Sequence, residues 1–250
     1  MSGHSKWSTI KRKKGAADAK RSNVFSKLIK EITVAARMGG GDPDGNPRLR
    51  LVIDKAKSQS MPRDNIERAI KKGTGELDGV TLEEVSYEGY GSAGVALIVE
   101  CTTDNKNRTV AEIRNIFARK GGNLGESGSV SWMFEKKGTI RVDAGSTSEE
   151  DLFEKIIDAG ADDMQKEDNQ FVITTNYENF LGVSEALRKA NIPVTEAEME
   201  QVPKSAIKID DEEKARKILG LVESLEECED VQNVWANFDI DDSMLEKISG

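Results

Sequence analysis

The residues with the most obvious chemistry are cations. Lys11, Arg12, Lys13 and Lys14 form a run, with Lys6, Lys20 and Arg21 close by and Trp7 among them. Ammonium and guanidinium groups at this density neutralise phosphates, release counterions and drive an affinity that does not depend on base sequence. An exposed indole beside them offers a face for an unpaired base, worth roughly 1–3 kcal/mol. A second reading of Trp7 stands beside this one, in which it pins the arm onto the first helix.

Other reactive residue types point to no chemistry. The single histidine, His4, excludes multi-histidine metal sites and a histidine-based triad. Cys101 and Cys228 lie too far apart in the chain for a zinc cluster and read as free thiols in a reducing cytoplasm. Gly89-Tyr90-Gly91-Ser92-Ala93-Gly94 matches a dinucleotide fingerprint letter for letter. That fingerprint must open a helix whose N-terminus faces the pyrophosphate, and Val95-Ala96-Leu97-Ile98-Val99 predicts a strand instead. A glycine turn between strands is expected. Gly121-Gly122-Asn123-Leu124-Gly125 lacks the Lys-Ser/Thr of a phosphate loop. Asp210–Glu213 opens a helix, where carboxylates suit the dipole, and Asp239–Asp242 has no calcium-loop spacing. No catalytic constellation, cofactor site or metal site is expected.

The cations need elements to position them. Residues 1–22 have no apolar periodicity and read as an arm, disordered when alone. Phe25, Leu28, Ile29, Ile32 and Ala36 predict a helix over 23–38, with Lys20, Lys27, Lys30 and Arg37 on its opposite face if it extends back to Lys20. Asn46-Pro47 opens a second helix that buries Leu49, Val52, Ile53 and Ala56 and leaves Arg48, Arg50, Lys55 and Lys57 outward. A third starts near Pro62, buries Ile66, Ala69 and Ile70, and ends at Gly73. Beyond a linker at 73–76 the periodicity becomes mixed. Strands at 94–102 and 129–134 flank a helix at 105–120; strands at 206–209 and 231–239 flank a helix at 211–226. Together these predict a βαββαβ unit. A second such set lies between: strands at 139–142, 162–166, 171–175 and 194–202, helices at 149–158 and 178–190. The expected fold is α+β with three domains. A basic arm and three-helix domain occupy 1–75, a discontinuous ferredoxin-like domain 76–136 and 206–250, and an inserted ferredoxin-like domain 137–205, with crossings near 136–138 and 203–205.

Charge divides along the same line. The first 72 residues carry 18 Lys/Arg against 7 Asp/Glu, a net of +11, and the remainder carries −20. A basic third on an acidic body suggests an arm reaching for a polyanion. No apolar run approaches the ~18 residues that span a bilayer, and the start has no secretory h-region. A soluble, non-membrane, non-enzymatic protein without a small-molecule substrate is expected.

The chain resembles the YebC family, whose members include bacterial PmpR-type regulators and the mitochondrial translational activator of cytochrome oxidase subunit I. The resemblance rests on Gly3-His4-Ser5-Lys6-Trp7, Asp18-Ala19-Lys20-Arg21, Asn46-Pro47-Arg48-Leu49-Arg50 and Met61-Pro62-Arg63-Asp64-Asn65-Ile66-Glu67. It continues through Tyr87-Glu88-Gly89-Tyr90-Gly91, Thr103-Asp104-Asn105, Asn107-Arg108-Thr109 and Gly128-Ser129-Val130-Ser131-Trp132-Met133-Phe134. One departure is Ser92-Ala93, where the family usually has Pro-Gly. The resemblance implies three domains, no cofactor, no catalysis and a cytoplasmic location, since this chain starts at the family motif without a transit extension. It implies a DNA-binding transcriptional regulator by the customary label, or a ribosome-associated translation factor that binds rRNA or tRNA, relieves stalled synthesis and meets ribosomal proteins through its acidic domains. The residues expected on phosphates are Lys6, Lys11, Arg12, Lys13, Lys14, Lys20, Arg21, Lys27 and Lys30, with Trp7 stacking. Arg48, Arg50, Lys55 and Lys57 form a second tier.

Overall fold

The computed structural model describes Trp7 and residues 18–167 and 169–249; of 18–21 and 249 it describes the backbone alone. Three helices come first: α1 (Asp18–Gly39), α2 (Pro47–Ser58) and α3 (Arg63–Thr74). Their apolar stripes meet in one core built from Leu28, Ile32, Leu49, Val52, Ile53, Ala56, Ile66 and Ala69. Helix α1 starts five residues before the expected Asn23. The buried side chain of Asn46 closes the α1–α2 turn. Its Oδ1 accepts from the Leu49 amide at 3.0 Å, and its Nδ2 donates to the carbonyls of Ala35 and Gly40. That caps α2 and satisfies α1's end with one residue, with Pro47 preset at the first helical position. At the α1–α3 crossing a Cβ on Gly73 would come within 2.7 Å of the Ala36 Cβ, so the close approach requires glycine there.

Next come β1 (Glu83–Tyr90), β2 (Ala96–Thr103), α4 (Lys106–Arg119) and β3 (Asn123–Leu124). A second set follows: β4 (Phe134–Asp143), α5 (Glu149–Asp158), β5 (Asp163–Glu167), β6 (Gln170–Asn176), α6 (Phe180–Lys189) and β7 (Val194–Pro203). The chain then returns with β8 (Ile207–Lys208), α7 (Glu212–Glu227), β9 (Val231–Ala236), β10 (Phe238–Asp239) and α8 (Asp242–Ser249). Strands β4 to β7 make an antiparallel sheet in the order β5-β6-β4-β7, the βαββαβ ferredoxin-like pattern. Its core packs Ile140, Val142, Phe171 and Ile173 against Leu152 and Ile156 of α5 and Val183 and Leu187 of α6.

The set that surrounds it is α+β but differs from the expected strand list. The four-stranded antiparallel sheet runs β3-β1-β2-β9, while β8 and β10 pair in parallel as a separate two-stranded ribbon. Residues 131–133, expected in a strand, form a 3₁₀ turn, and the next strand begins only at Phe134 as part of the inserted sheet. Helices α4 and α7 cover one face through Ile113, Phe117, Leu221, Val222 and Leu225 against Val95, Leu97 and Val99. The Gly-rich hairpin at 89–94 is a turn between β1 and β2, as its strand-side sequence requires. A Cβ on Gly89 would lie 2.7 Å from the Asn123 carbonyl oxygen and 2.8 Å from the Phe117 ring. Its glycine therefore serves packing. Ala93 holds φ at +59°, the left-handed region that favours glycine.

Candidate nucleic-acid interface

The cations on α1 are turned inward onto the second unit. Lys27 Nζ donates to the Glu226 carbonyl at 2.6 Å, and Lys30 Nζ reaches the Glu229 carbonyl at 3.1 Å and Asp230 Oδ1 at 2.7 Å. Asn23 adds a bond to the Glu227 carbonyl at 3.1 Å. The Glu226 and Glu227 carbonyls lie in the last turn of α7, where unpaired helical carbonyls favour a cation, and Glu229 and Asp230 follow just beyond it. Asp230 is the centre of the contact. Its carboxylate is 5% exposed and accepts from Lys30, from Arg108 Nη2 at 2.8 Å, from Thr109 Oγ1 at 2.7 Å and from Thr103 Oγ1 at 3.2 Å. Burial pushes this carboxyl's pKa up, but the bonds from Arg108, Lys30 and Thr109 outweigh it and hold it down to about 2. Lys27 and Lys30, expected on phosphates, are thus placed against the second unit. Desolvated donors that already have carboxylate and carbonyl partners gain nothing by leaving them for a hydrated phosphate.

The second tier meets the same fate. Arg48 forms a bidentate pair with Glu84 of β1. Arg50 bridges to Glu185 of α6 at 2.5 Å and donates to the carbonyls of Pro43 and Asp44. Arg188 and Arg50 together hold Glu185 down to about 2. Lys55 pairs with Glu198 of β7 at 2.5 Å. Glu31 completes this junction. Burial raises its pKa and the charge of Lys55 draws it back. Lys57 is the most outward of the four, with a loose 3.6 Å pair to Asp54 and both side chains more than 60% exposed, while Lys55 stays 43% exposed beside its pair.

Trp7, expected to stack on a base or to pack on α1, is 4% exposed and belongs to the core of the second unit, with Leu97, Phe117 and Leu221 in the same cluster. Burying an indole recovers as much as one base stack, without waiting for a ligand. Lys6, Lys11, Arg12, Lys13 and Lys14 lie outside the described residues, as do the side chains of Lys20 and Arg21.

One basic face was missed by the sequence reading. Arg68, Lys71 and Lys72 of α3 are exposed and fall at i, i+3 and i+4, on one side of the helix opposite Ile66 and Ala69. Among the described residues none of the three is in an ion pair. Their spacing was the available signal: it is the outward complement of the apolar stripe that located the helix.

Among the described residues no helix is long and apolar enough to cross a membrane. Two family models cover most of the chain. The model for the TACO1/YebC protein N-terminal domain matches residues 5–76, and that for the TACO1/YebC second and third domain matches residues 82–238. A probable transcriptional regulatory protein of Geobacter sulfurreducens is 58% identical over 99% of this chain and all of its own length. One from Desulfotalea psychrophila is 55% identical over the whole of both. The crystal structure of a conserved hypothetical protein from Aquifex aeolicus is 52% identical, with a TM-score of 0.79 over 90% of this chain and 93% of that one. Matches of this length and identity leave one reading of the ancestry: the chain belongs to the TACO1/YebC family.

Proposed function

We propose that the chain is a non-enzymatic, cytoplasmic regulator of gene expression that binds nucleic acid through phosphates and does not read base edges. One observation carries this: Arg48, Arg50 and Lys55, the α2 cations that a groove-reading helix would need, are each joined to a carboxylate of another unit. Among the described residues of α2 and α3, Lys57 and the outer face of α3 have no ion pair to another unit, and the basic arm adds its charge to them. That set tracks a backbone. The relatives' name, probable transcriptional regulatory protein, supports duplex DNA as the target. The ribosome reading is favoured by the loss of the α2 face, because a basic, glycine-containing arm sequence suits irregular RNA better than a groove. In that reading the acidic body, net −20 beyond residue 72, faces basic ribosomal proteins.

Competition tests the proposal. Labelled chain is offered ribosomes against excess mixed-sequence and promoter duplex near physiological salt. Equal loss to both duplexes, with or without retention on ribosomes, is the expected result. Selective capture by one duplex over mixed sequence of the same length overturns the backbone-only mode.

A further inference from the structure

We propose that Trp132, Lys136, Tyr177 and Lys204 form a stacking strip for two unpaired bases of a single-stranded nucleic acid. The proposal rests on the nucleic-acid reading above and gives it a strand preference.

Trp132 is the largest exposed aromatic among the described residues, at 65%, and its loop is built to hold it there. Buried Glu88 accepts from the amides of Gly128 at 2.8 Å, Val130 at 2.6 Å and Ser131 at 2.8 Å. Three backbone donors on one carboxylate fix the turn before the indole. The indole's own Nε1 donates to the Ser129 carbonyl at 3.1 Å, so its polar edge is satisfied inside the loop and the ring's faces are what it offers. The Lys204 ammonium donates to the Trp132 carbonyl at 3.0 Å, and the Lys204 amide to the Met133 carbonyl at 2.9 Å, which ties a cation to the backbone of the residue that carries the ring.

A second exposed ring meets a cation directly, at the start of β4. Pairing of Lys137 with Asn176 carries Lys136 opposite Tyr177, and the Lys136 Nζ sits 5.7 Å from the Tyr177 ring centroid. Tyr177 is 61% exposed. Four residue steps lead from Trp132 to Lys136, at most about 14 Å of chain, within reach of a few nucleotides. Elsewhere the acidic body pairs several of its own cations: Arg108, Arg141, Arg188, Arg216 and Lys217 all meet carboxylates. Among the described residues Lys136 and Lys204 meet a ring and a carbonyl and no ion pair. Two exposed rings, each with an amine whose charge is not spent on a carboxylate, are the elements of a sequence-tolerant single-strand site: faces for bases and cations for the linking phosphates. An apolar or proline-rich peptide would use the rings and leave the cations idle, so single-stranded nucleic acid is the occupant the charges favour.

The test uses the full chain and a labelled mixed-sequence RNA of about 12 nucleotides, within the usual site size. Anisotropy reports binding and tryptophan emission reports stacking. Trp7 and Trp235 are buried, at 4% and 8% exposure, so quenching by a stacked base reports Trp132. The expected result is quenching that disappears in Trp132→Phe. Affinity falls roughly 5- to 150-fold in both Trp132→Ala and Tyr177→Ala, the range for losing one base stack. Blunt duplex at equal phosphate should bind without quenching. Exposure of both side chains keeps the variants folded, which circular dichroism checks. Binding without quenching, and at unchanged affinity in both alanine variants, overturns the strip and leaves the phosphate-binding function standing. No anisotropy change with intact chain overturns both. Quenching by a proline-rich peptide but not by RNA overturns the assigned occupant.

Discussion

Replacing Asp230 with asparagine should uncouple α1 from the second unit. The substitution keeps the shape and removes the charge that faces Lys30 and Arg108. Lys30 is 14% exposed and Arg108 51%, so the lysine bears most of the loss while the arginine keeps Asp104 at 2.8 Å. Leaving a buried charge without its partner costs about 3–5 kcal/mol. The surviving bond from Lys30 to the Glu229 carbonyl at 3.1 Å lowers the expectation to about 2–4 kcal/mol. The acid–base linkage supplies a second estimate. The carboxyl titrates at about 2 when folded, against ~3.9 when unfolded, and about 1.36 kcal/mol per unit makes ~2.6 kcal/mol at neutral pH. A depressed folded pKa contributes stability above the unfolded value and loses it as pH falls through the folded one. The gap between wild type and Asp230→Asn should therefore be full at about pH 7 and roughly halved near pH 3. Urea unfolding followed by circular dichroism at both pH values measures it. A gap under about 1 kcal/mol at neutral pH, or one that does not shrink on acidification, would refute the Asp230 hub as the anchor of α1.

Three further outcomes follow from the same geometry. Changing Arg68, Lys71 and Lys72 together to alanine should flatten the slope of log affinity against log salt by about 2–3, at ~0.7–0.9 per phosphate contact. An unchanged slope removes α3 from the interface. Changing Arg50 and Lys55 to glutamine should leave that slope alone and lower stability by about 1–2 kcal/mol, because both pair across units with carboxylates less than 30% exposed. Ala93→Gly should stabilise by about 0.5–1 kcal/mol in urea unfolding, since it relieves a positive φ at some cost in unfolded-state entropy; destabilisation would mean that the turn is not strained.

Local pattern carried the helices. Asn46-Pro47 marked the start of α2, and α5 spans the expected 149–158. The glycine fingerprint was rejected correctly because the strand after it is an apolar run, a signal within the same few residues. The cations misled for the opposite reason. Arg50 and Glu185, or Lys55 and Glu198, are more than a hundred residues apart, and nothing in the neighbourhood of either announces the pair. The clue was global: a segment of +11 beside a body of −20 neutralises itself before it neutralises a ligand. Trp7 was illegible because its burial is supplied by strands and helices far along the chain. Residues 131–133 were apolar enough for a strand, yet the Glu88 carboxylate takes the amides of Val130 and Ser131, and with those donors spent the segment turns instead of pairing.

The most direct measurement is the salt dependence of binding for intact chain and for a variant with Lys11, Arg12, Lys13 and Lys14 all changed to glutamine, each against mixed-sequence duplex and against structured RNA. The account predicts sequence-independent binding whose log–log slope drops by about 3–4 in the variant. Binding that ignores salt, or a slope the four substitutions leave unchanged, would contradict it.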